Sequence, residues 1–398
     1  MLTPITAPNP NTIDPDDPSY WSQVRSHFIT DAGHCYLNNA SLGMPPKQVV
    51  EAVASGFRRL SENPTGAKRA LGPYINDILR PALAQYLGAD TGEIALTRNA
   101  TESLYDIVNC LELQPGDEIL TTTQEHPSTL KPLKVKIERL GITFRQVSIP
   151  SPFESPDQVV GLMRNGISDR TRVMMFCHVT RGGYLYPVKQ LSAMAADRGI
   201  IVGIDGAQAI GMMDVDLHDL GCDMYANSLH KWFLGPSGTG FLFVRQAVQD
   251  RFRSLYVSDL DEMPGASRYE TQGTYDLPTR AALGASLDFL NRIGIRNIEK
   301  RLRMLSNYLK DGLQEIPQVC LLSSTSPEIS SPGSTIFEIE GINLPHWVEL
   351  FLDEANLHVD DHTLDNHRAM RISTHYYVST EEIDRFLDKL RELIGRYM

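Results

Sequence analysis

The 398-residue sequence is poor in cysteine, with five residues, Cys35, Cys110, Cys177, Cys222 and Cys320, an odd number widely scattered. No two have Cys-x-x-Cys spacing, which argues against a disulfide framework and against a zinc site. A reducing, cytoplasmic setting is expected from that usage. Long apolar runs are missing as well. No stretch approaches the ~20 residues needed to span a bilayer, so no membrane contact is expected. The N-terminus, MLTPITAPNPNTIDPDDPSYW, lacks the charged start and apolar core of a secretory signal. There is no long basic run, and 37 Lys and Arg against 49 Asp and Glu leave a formal charge of −12. That balance argues against a nucleic-acid partner. Internal repeats are absent, and the only biased stretch is the Pro-, Asn- and Asp-rich start.

What is present has the composition of an ordinary globular protein, long enough for two or three domains and a large core. Residues 1–18 read as a flexible arm. Helical spacing of apolar residues follows at 20–28, 46–60 and 76–87. Strand-like runs then recur at 94–97, 118–122, 143–147, 172–177, 200–204, 224–226 and 240–244. Helical stretches at 102–111, 129–140, 157–165 and 188–198 separate several of them. This alternation predicts an α/β fold with a mixed, mainly parallel sheet covered on both faces. In such sheets ligands sit beyond the carboxyl ends of the strands. A helical stretch over 278–309, strands at 335–340 and 368–373, and a closing amphipathic helix over 381–397 predict a smaller α+β unit. The expected division is an arm at 1–18, a large domain at 19–275 and a small C-terminal domain at 276–398. The first ~30 residues of the large domain are expected to pack on the small one.

Four polar clusters follow predicted strands. The most informative is CDMYANSLHKWFLGPSGTGFL at 222–242, in which a strand ends at Ser228, His230 and Lys231 before a glycine-rich turn. A lysine facing the ligand crevice, with its pKa lowered by desolvation, forms Schiff bases with carbonyl cofactors. The plainer reading of a loop lysine is a solvated charge, and its neighbours overturn it. Asp205 ends the apolar run IIVGID, where a carboxylate is costly unless paired. A pyridinium nitrogen is such a partner, and helix capping is the alternative. Thr97-Arg-Asn-Ala-Thr101-Glu-Ser lies between a strand and a helix, where free amides and the helix dipole favour a phosphate. Capping by Asn99 with Glu102 is compatible with that role. His126, in TQEHPS, is placed to stack on a cofactor ring or to serve structure alone.

Together these motifs resemble aminotransferase class V, the pyridoxal-phosphate (PLP) enzymes of fold type I, from about Tyr36 to the C-terminus. The order Asp-x-x-Gln then Ser-x-His-Lys carries the likeness. Leu229 stands where the family usually has a small residue, and Asn-x-Leu-His-Lys-Trp is similar to the isopenicillin N epimerase-like branch. The resemblance implies PLP on Lys231, with Asp205 at the pyridine nitrogen and His126 stacked on the ring. Gln208 and Thr180 would lie near the phenolic oxygen. Ala100, Thr101, Ser228 and His230 would hold the phosphate. Gly273 and Thr274 would reach it from the neighbouring subunit, so a homodimer with shared active sites is implied. Arg371 would grip the carboxylate of a small amino-acid substrate, as a planar guanidinium can, an ordinary ion pair being the plainer alternative. The motif Tyr36-Leu-Asn-Asn39-Ala-Ser41-Leu-Gly43 is similar to the segment folding over substrate. HVTRGGYLYP at 178–187 is one residue short of the family's spacing. Arg181, Tyr184 and Tyr186 would line a substrate pocket or serve as packing.

The resemblance implies an enzyme working through a Cα carbanion, epimerase-like, with transamination or elimination such as C–S cleavage as alternatives. A PLP-fold binding protein without catalysis is disfavoured, because Lys231, Asp205 and Arg371 are all present. Cysteine desulfurase activity is expected to be absent. The stretch NLHVDDHTLDNHRAMR at 356–371 has no cysteine, and Cys320 reads as a small buried hydrophobe.

Overall fold

The computed structural model describes residues 13–31, 33–254, 265–270, 273–363 and 367–398. The expected arm lies largely outside them, at 1–12. Within the described residues Ile13 is buried and Asp17 caps the helix Pro18–Arg25 through bonds from Ser19 and Tyr20 N–H.

The strands in chain order are β1 (Cys35–Tyr36), β2 (Ile94–Thr97), β3 (Glu118–Thr122), β4 (Thr143–Val147), β5 (Thr171–Cys177), β6 (Ile201–Asp205), β7 (Met224–Ser228) and β8 (Gly240–Val244). They continue as β9 (Val319–Leu321), β10 (Ser334–Ile339), β11 (Leu357–His358), β12 (Asp360–His362) and β13 (Ala369–Ser373). The principal sheet has seven strands in the order β2-β8-β7-β6-β5-β3-β4. Pairing is parallel from β7 to β4, and β8 runs antiparallel to both β2 and β7. β2 therefore points the same way as β7, and the carboxyl ends of β2, β3, β5, β6 and β7 share one edge. Strands covered on both faces need apolar residues at every position, not at alternate ones. β6 (IVGID) and β7 (MYANS) are accordingly buried throughout.

Local chemistry explains the boundaries. Asn99 and Ser155 accept N-cap bonds from Glu102 and Gln158, which starts the helices Ala100–Cys110 and Pro156–Gly166. The expected helix over 278–309 is three helices, Leu277–Ala281, Leu283–Ile293 and Ile295–Gln314. The second break falls at Gly294, whose φ of +85° suits a residue without Cβ. The expected helix over 76–87 begins as a π-helical turn, Tyr74–Leu79, ahead of Pro81 in Arg80–Tyr86. Proline has no N–H to donate backwards, so the regular ladder cannot run through it.

A four-stranded antiparallel sheet, β12-β13-β10-β9, is built from the C-terminal region. β1 pairs in parallel with β11, which ties residues 35–36 to that region. Arg25 adds a 2.6 Å ion pair to Glu382 in the closing helix Thr380–Tyr397. Cys320 corrects one expectation: it is exposed. β9 is an edge strand, and its central residue points outward while Val319 and Leu321 turn partly inward. Among the described residues no helix is long and apolar enough to cross a membrane.

Candidate active site

A cavity of about 350 Å³ opens at the carboxyl edge of the principal sheet. Its wall includes Lys231, Asp205, His126, Ser228, Thr101 and Arg371, together with Ala100, Gln208 and Ser41. Ser41 and Arg371, far apart in sequence, meet because the 36–43 segment is tied to β13, Asn38 bridging to Ser373 and Asn39 donating to Ser373 O at 2.8 Å. The volume lies within the range of small-molecule sites.

Asp205 ends β6 and is buried. Its Oδ2 accepts a bond from the Thr129 hydroxyl at 3.0 Å and its Oδ1 one from Ala207 N–H at 3.1 Å. The carboxylate is thus held in one orientation. Lys231 is partly buried, three residues beyond the end of β7. Burial pushes its ammonium down to about 8, Asp205 opposes this, and Arg371 and Arg181 reinforce it. Gly43 packs on the Lys231 carbonyl so closely that a Cβ would overlap it. Gly43 N–H donates to His230 O at 2.9 Å, which pins the 36–43 segment over the lysine loop.

His126 caps the helix Pro127–Leu140, its Nδ1 accepting from Ser128 N–H at 3.1 Å. When neutral, the imidazole therefore carries its proton on Nε2. Burial lowers its pKa first, Asp205 opposes, and Lys231 reinforces. At the N-terminus of the helix Ala100–Cys110, Ser228 Oγ accepts from Ala100 N–H at 2.9 Å and Thr101 Oγ1 lies 3.0 Å from Ser128 Oγ. Three hydroxyls at a helix N-terminus suit a phosphate. With Asp205 for a ring nitrogen, His126 for a ring face and Lys231 for a carbonyl, the residues present fit PLP.

Other expected residues lie elsewhere. Thr180 is buried but outside this cavity, its Oγ1 accepting from Tyr184 N–H at 3.1 Å within a tight turn. Gln208 reaches the wall with its amide engaged: Nε2 donates to Ala40 O at 2.8 Å, and Oε1 accepts from Trp232 Nε1 at 2.8 Å. Asn39 is fully buried and bonds Ser373 O at 2.8 Å, so it anchors the 36–43 segment and leaves Ser41 at the wall. His230 is partly buried and does not line the cavity. Gly273 and Thr274 are exposed, away from the cavity of their own chain. Of the 178–187 trio, Arg181 lines the cavity, while the Tyr184 hydroxyl donates to Leu322 O at 2.9 Å and Tyr186 is buried.

The wall also holds residues that sequence reasoning missed. Ser128 follows His126 by two positions, and its hydroxyl near a helix start was a usable signal. Asp360, Gln124 and Cys177 carried none, because their place depends on strand pairing and loop paths. Glu125 is buried, and burial, with Asp205 nearby, raises its pKa to about 8. Cys177 pairs in register with Asp205 across β5 and β6, and burial holds its thiol well above the ordinary value.

The aminotransferase class-V profile matches residues 35–386. The chain belongs to that family. Its mainly parallel seven-stranded sheet with flanking helices has the architecture of fold type I. The chain is 29% identical to isopenicillin N epimerase of Streptomyces clavuligerus, over 94% of this chain and 98% of that protein. It is 28% identical to a probable cysteine desulfurase of Methanothermobacter thermautotrophicus, over 91% and 95%. Among solved structures it is similar to C-DES, with a TM-score of 0.84 at 25% identity over 92% of this chain and 98% of that one. That structure is a variant with glycine covalently linked to its PLP cofactor, and a second C-DES structure is described as a cystine C–S lyase with its product cysteine persulfide.

These relatives correct one expectation. The sequence reading set cysteine desulfurases aside because residues 356–371 lack a cysteine. Proteins named as desulfurases align with nearly the whole chain, so that exclusion does not stand. The absence of one residue type from one loop is a local fact, whereas the likeness covers nearly the whole chain.

Proposed function

We propose that this chain is a PLP-dependent enzyme that acts at Cα of an L-amino acid or amino-acid-derived substrate, with epimerisation as its reaction. The observation that carries the reading is Lys231, depressed to about 8, in one cavity with Asp205 and Arg371. The cofactor is pyridoxal 5′-phosphate, which when bound supplies an electron sink for the pair left at Cα. Asp205 would hold the ring nitrogen, and Ala100, Thr101, Ser128 and Ser228, which line the cavity, would hold the phosphate. Gly273 and Thr274 serve the neighbouring subunit of a homodimer. The chain divides at 275/276 into a large and a small domain, and a reducing cytoplasmic setting belongs to the same reading.

Arg371 binds the substrate carboxylate and fixes the orientation of Cα. Lys231 Nζ is neutral in a useful fraction near neutral pH, so it could attack a carbonyl and, with its amine free, would take the Cα proton. Epimerisation needs a proton returned to the other face. His126 faces the cavity, and in its imidazolium form it would supply that proton and return to the neutral ring. Ser41 and the 36–43 segment cover the substrate and exclude water.

C–S bond cleavage is the second reading, favoured by what C-DES and the desulfurase relatives are named for. One experiment separates them. The protein is incubated with PLP, and a visible band that borohydride removes, with label on Lys231, is expected. Lys231→Ala loses both and lowers turnover by roughly 10²–10⁴-fold. A panel of L-amino acids in D₂O is then followed for α-deuterium, D-isomer, keto acid and sulfide. Exchange with inversion supports epimerisation, and sulfide release without inversion replaces it by C–S cleavage.

A further inference from the structure

Three side chains of the cavity wall form a charge cluster whose count decides which carboxylates it accepts. Arg371 on β13 and Asp360 on β12 are register partners across adjacent antiparallel strands. Asp360 Oδ2 contacts Arg371 Nη2 and lies 3.7 Å from Arg181 Nη2. Two guanidiniums thus share one carboxylate, which leaves the trio with one net positive charge. Of their other neighbours, the Asp361 carboxylate favours the Arg371 charge more weakly than Asp360 does. Arg371 Nη2 bonds Asn38 Oδ1 at 3.3 Å, and Arg181 Nη2 donates to Asp361 O at 2.8 Å. His362, on the same strand as Asp360, is neutral because burial pushes it to about 3.

The cluster is short of acceptors. Arg371 is 4% exposed, and its Nε and that of Arg181 are buried with no hydrogen-bond partner. A buried donor left unmatched is costly, so the trio is built to receive an added anion. One net charge suits one carboxylate. A second carboxylate near Arg181 would meet Asp360, and juxtaposed like charges are a strong device for rejecting a ligand.

We propose that Asp360 is a specificity-determining residue: by neutralising one of two arginines, it restricts the site to monocarboxylic amino acids and excludes those with an anionic side chain. This rests on the reading of Arg371 as the carboxylate clamp. Asp360 is a wall constituent with its own effect on binding, separable from that of Arg371.

Propionate and succinate, which lack an amine and do not react, probe the clamp in the PLP-loaded protein by isothermal titration calorimetry. Wild-type protein is expected to bind propionate more tightly than succinate. Asp360→Asn keeps propionate within about threefold and tightens succinate roughly tenfold or more, the scale of one unmatched charge in a partly buried site. Arg181→Gln in that background cancels the succinate gain. A wild-type preference for succinate overturns the proposal without any variant. So does Asp360→Asn that weakens both acids, because Asp360 would then only hold Arg371 in place, or one that leaves succinate unchanged. Asp360→Ser serves if the Asn variant does not fold. Arg371→Gln with propionate binding intact defeats the clamp reading itself, whatever Asp360 does.

Discussion

Lys231 shows how one side chain is tuned by its surroundings. Its ammonium loses hydration on burial, which is the main cause of the shift; Asp205 opposes it, and two arginines in the same wall disfavour the charge further. The neutral amine attacks a carbonyl, so PLP capture should rise with pH as Lys231 loses its proton. Mixing the cofactor-free protein with PLP in a stopped-flow spectrometer should give a rate that is half-maximal near pH 8 and flat above it. A lysine at its ordinary value of 10.5 would still be accelerating there. Lys231, Asp205 and Thr101 were legible because each follows a strand whose apolar run marks its end. Asp360 was not: its role exists only against Arg371 and Arg181, and no spacing in the sequence brings those three together.

At the scale of elements, buried polar groups lock the site's supports to one another. Glu270 accepts from Arg80, from Arg280 at 3.1 Å and from Leu96 N–H at 2.6 Å. A single carboxylate thereby joins the helix Arg80–Tyr86, the edge strand β2 and the helix Leu277–Ala281. Both arginines and Glu270 are buried, so removing the carboxylate would strand two cations. Glu270→Ala should cost roughly 3–5 kcal/mol in urea unfolding, the range for breaking a buried pair from one side. A loss below about 1 kcal/mol would mean that the guanidiniums find water. The strands themselves were nearly all legible, since continuous apolar runs bounded by turns mark buried parallel strands. β9, β11 and β12 were not. They are two or three residues long and owe their extended form to partners across the sheet.

At the scale of the whole molecule, the exposed Gly273-Thr274 pair tests whether sites are shared. A Lys231→Ala chain and a Gly273→Trp chain should each be inactive as homodimers. Their heterodimer combines the intact lysine of one chain with the intact glycine of the other, so random mixing should restore about a quarter of wild-type activity. Activity that stays at the level of the parents would show that each chain completes its own site.

The sequence by itself determined the alternation of strands and helices, the lysine and aspartate that follow two of those strands, and the family to which they belong. Each of these is written in local periodicity or in a short motif. Tertiary structure alone decided that Thr180 turns away from the cavity, that the Gln208 amide is spent on Ala40 and Trp232, and that Asp360 stands between two arginines. Those facts depend on which residues lie across a sheet or beneath a loop, and hydrogen bonds between distant segments are settled only when the chain closes on itself.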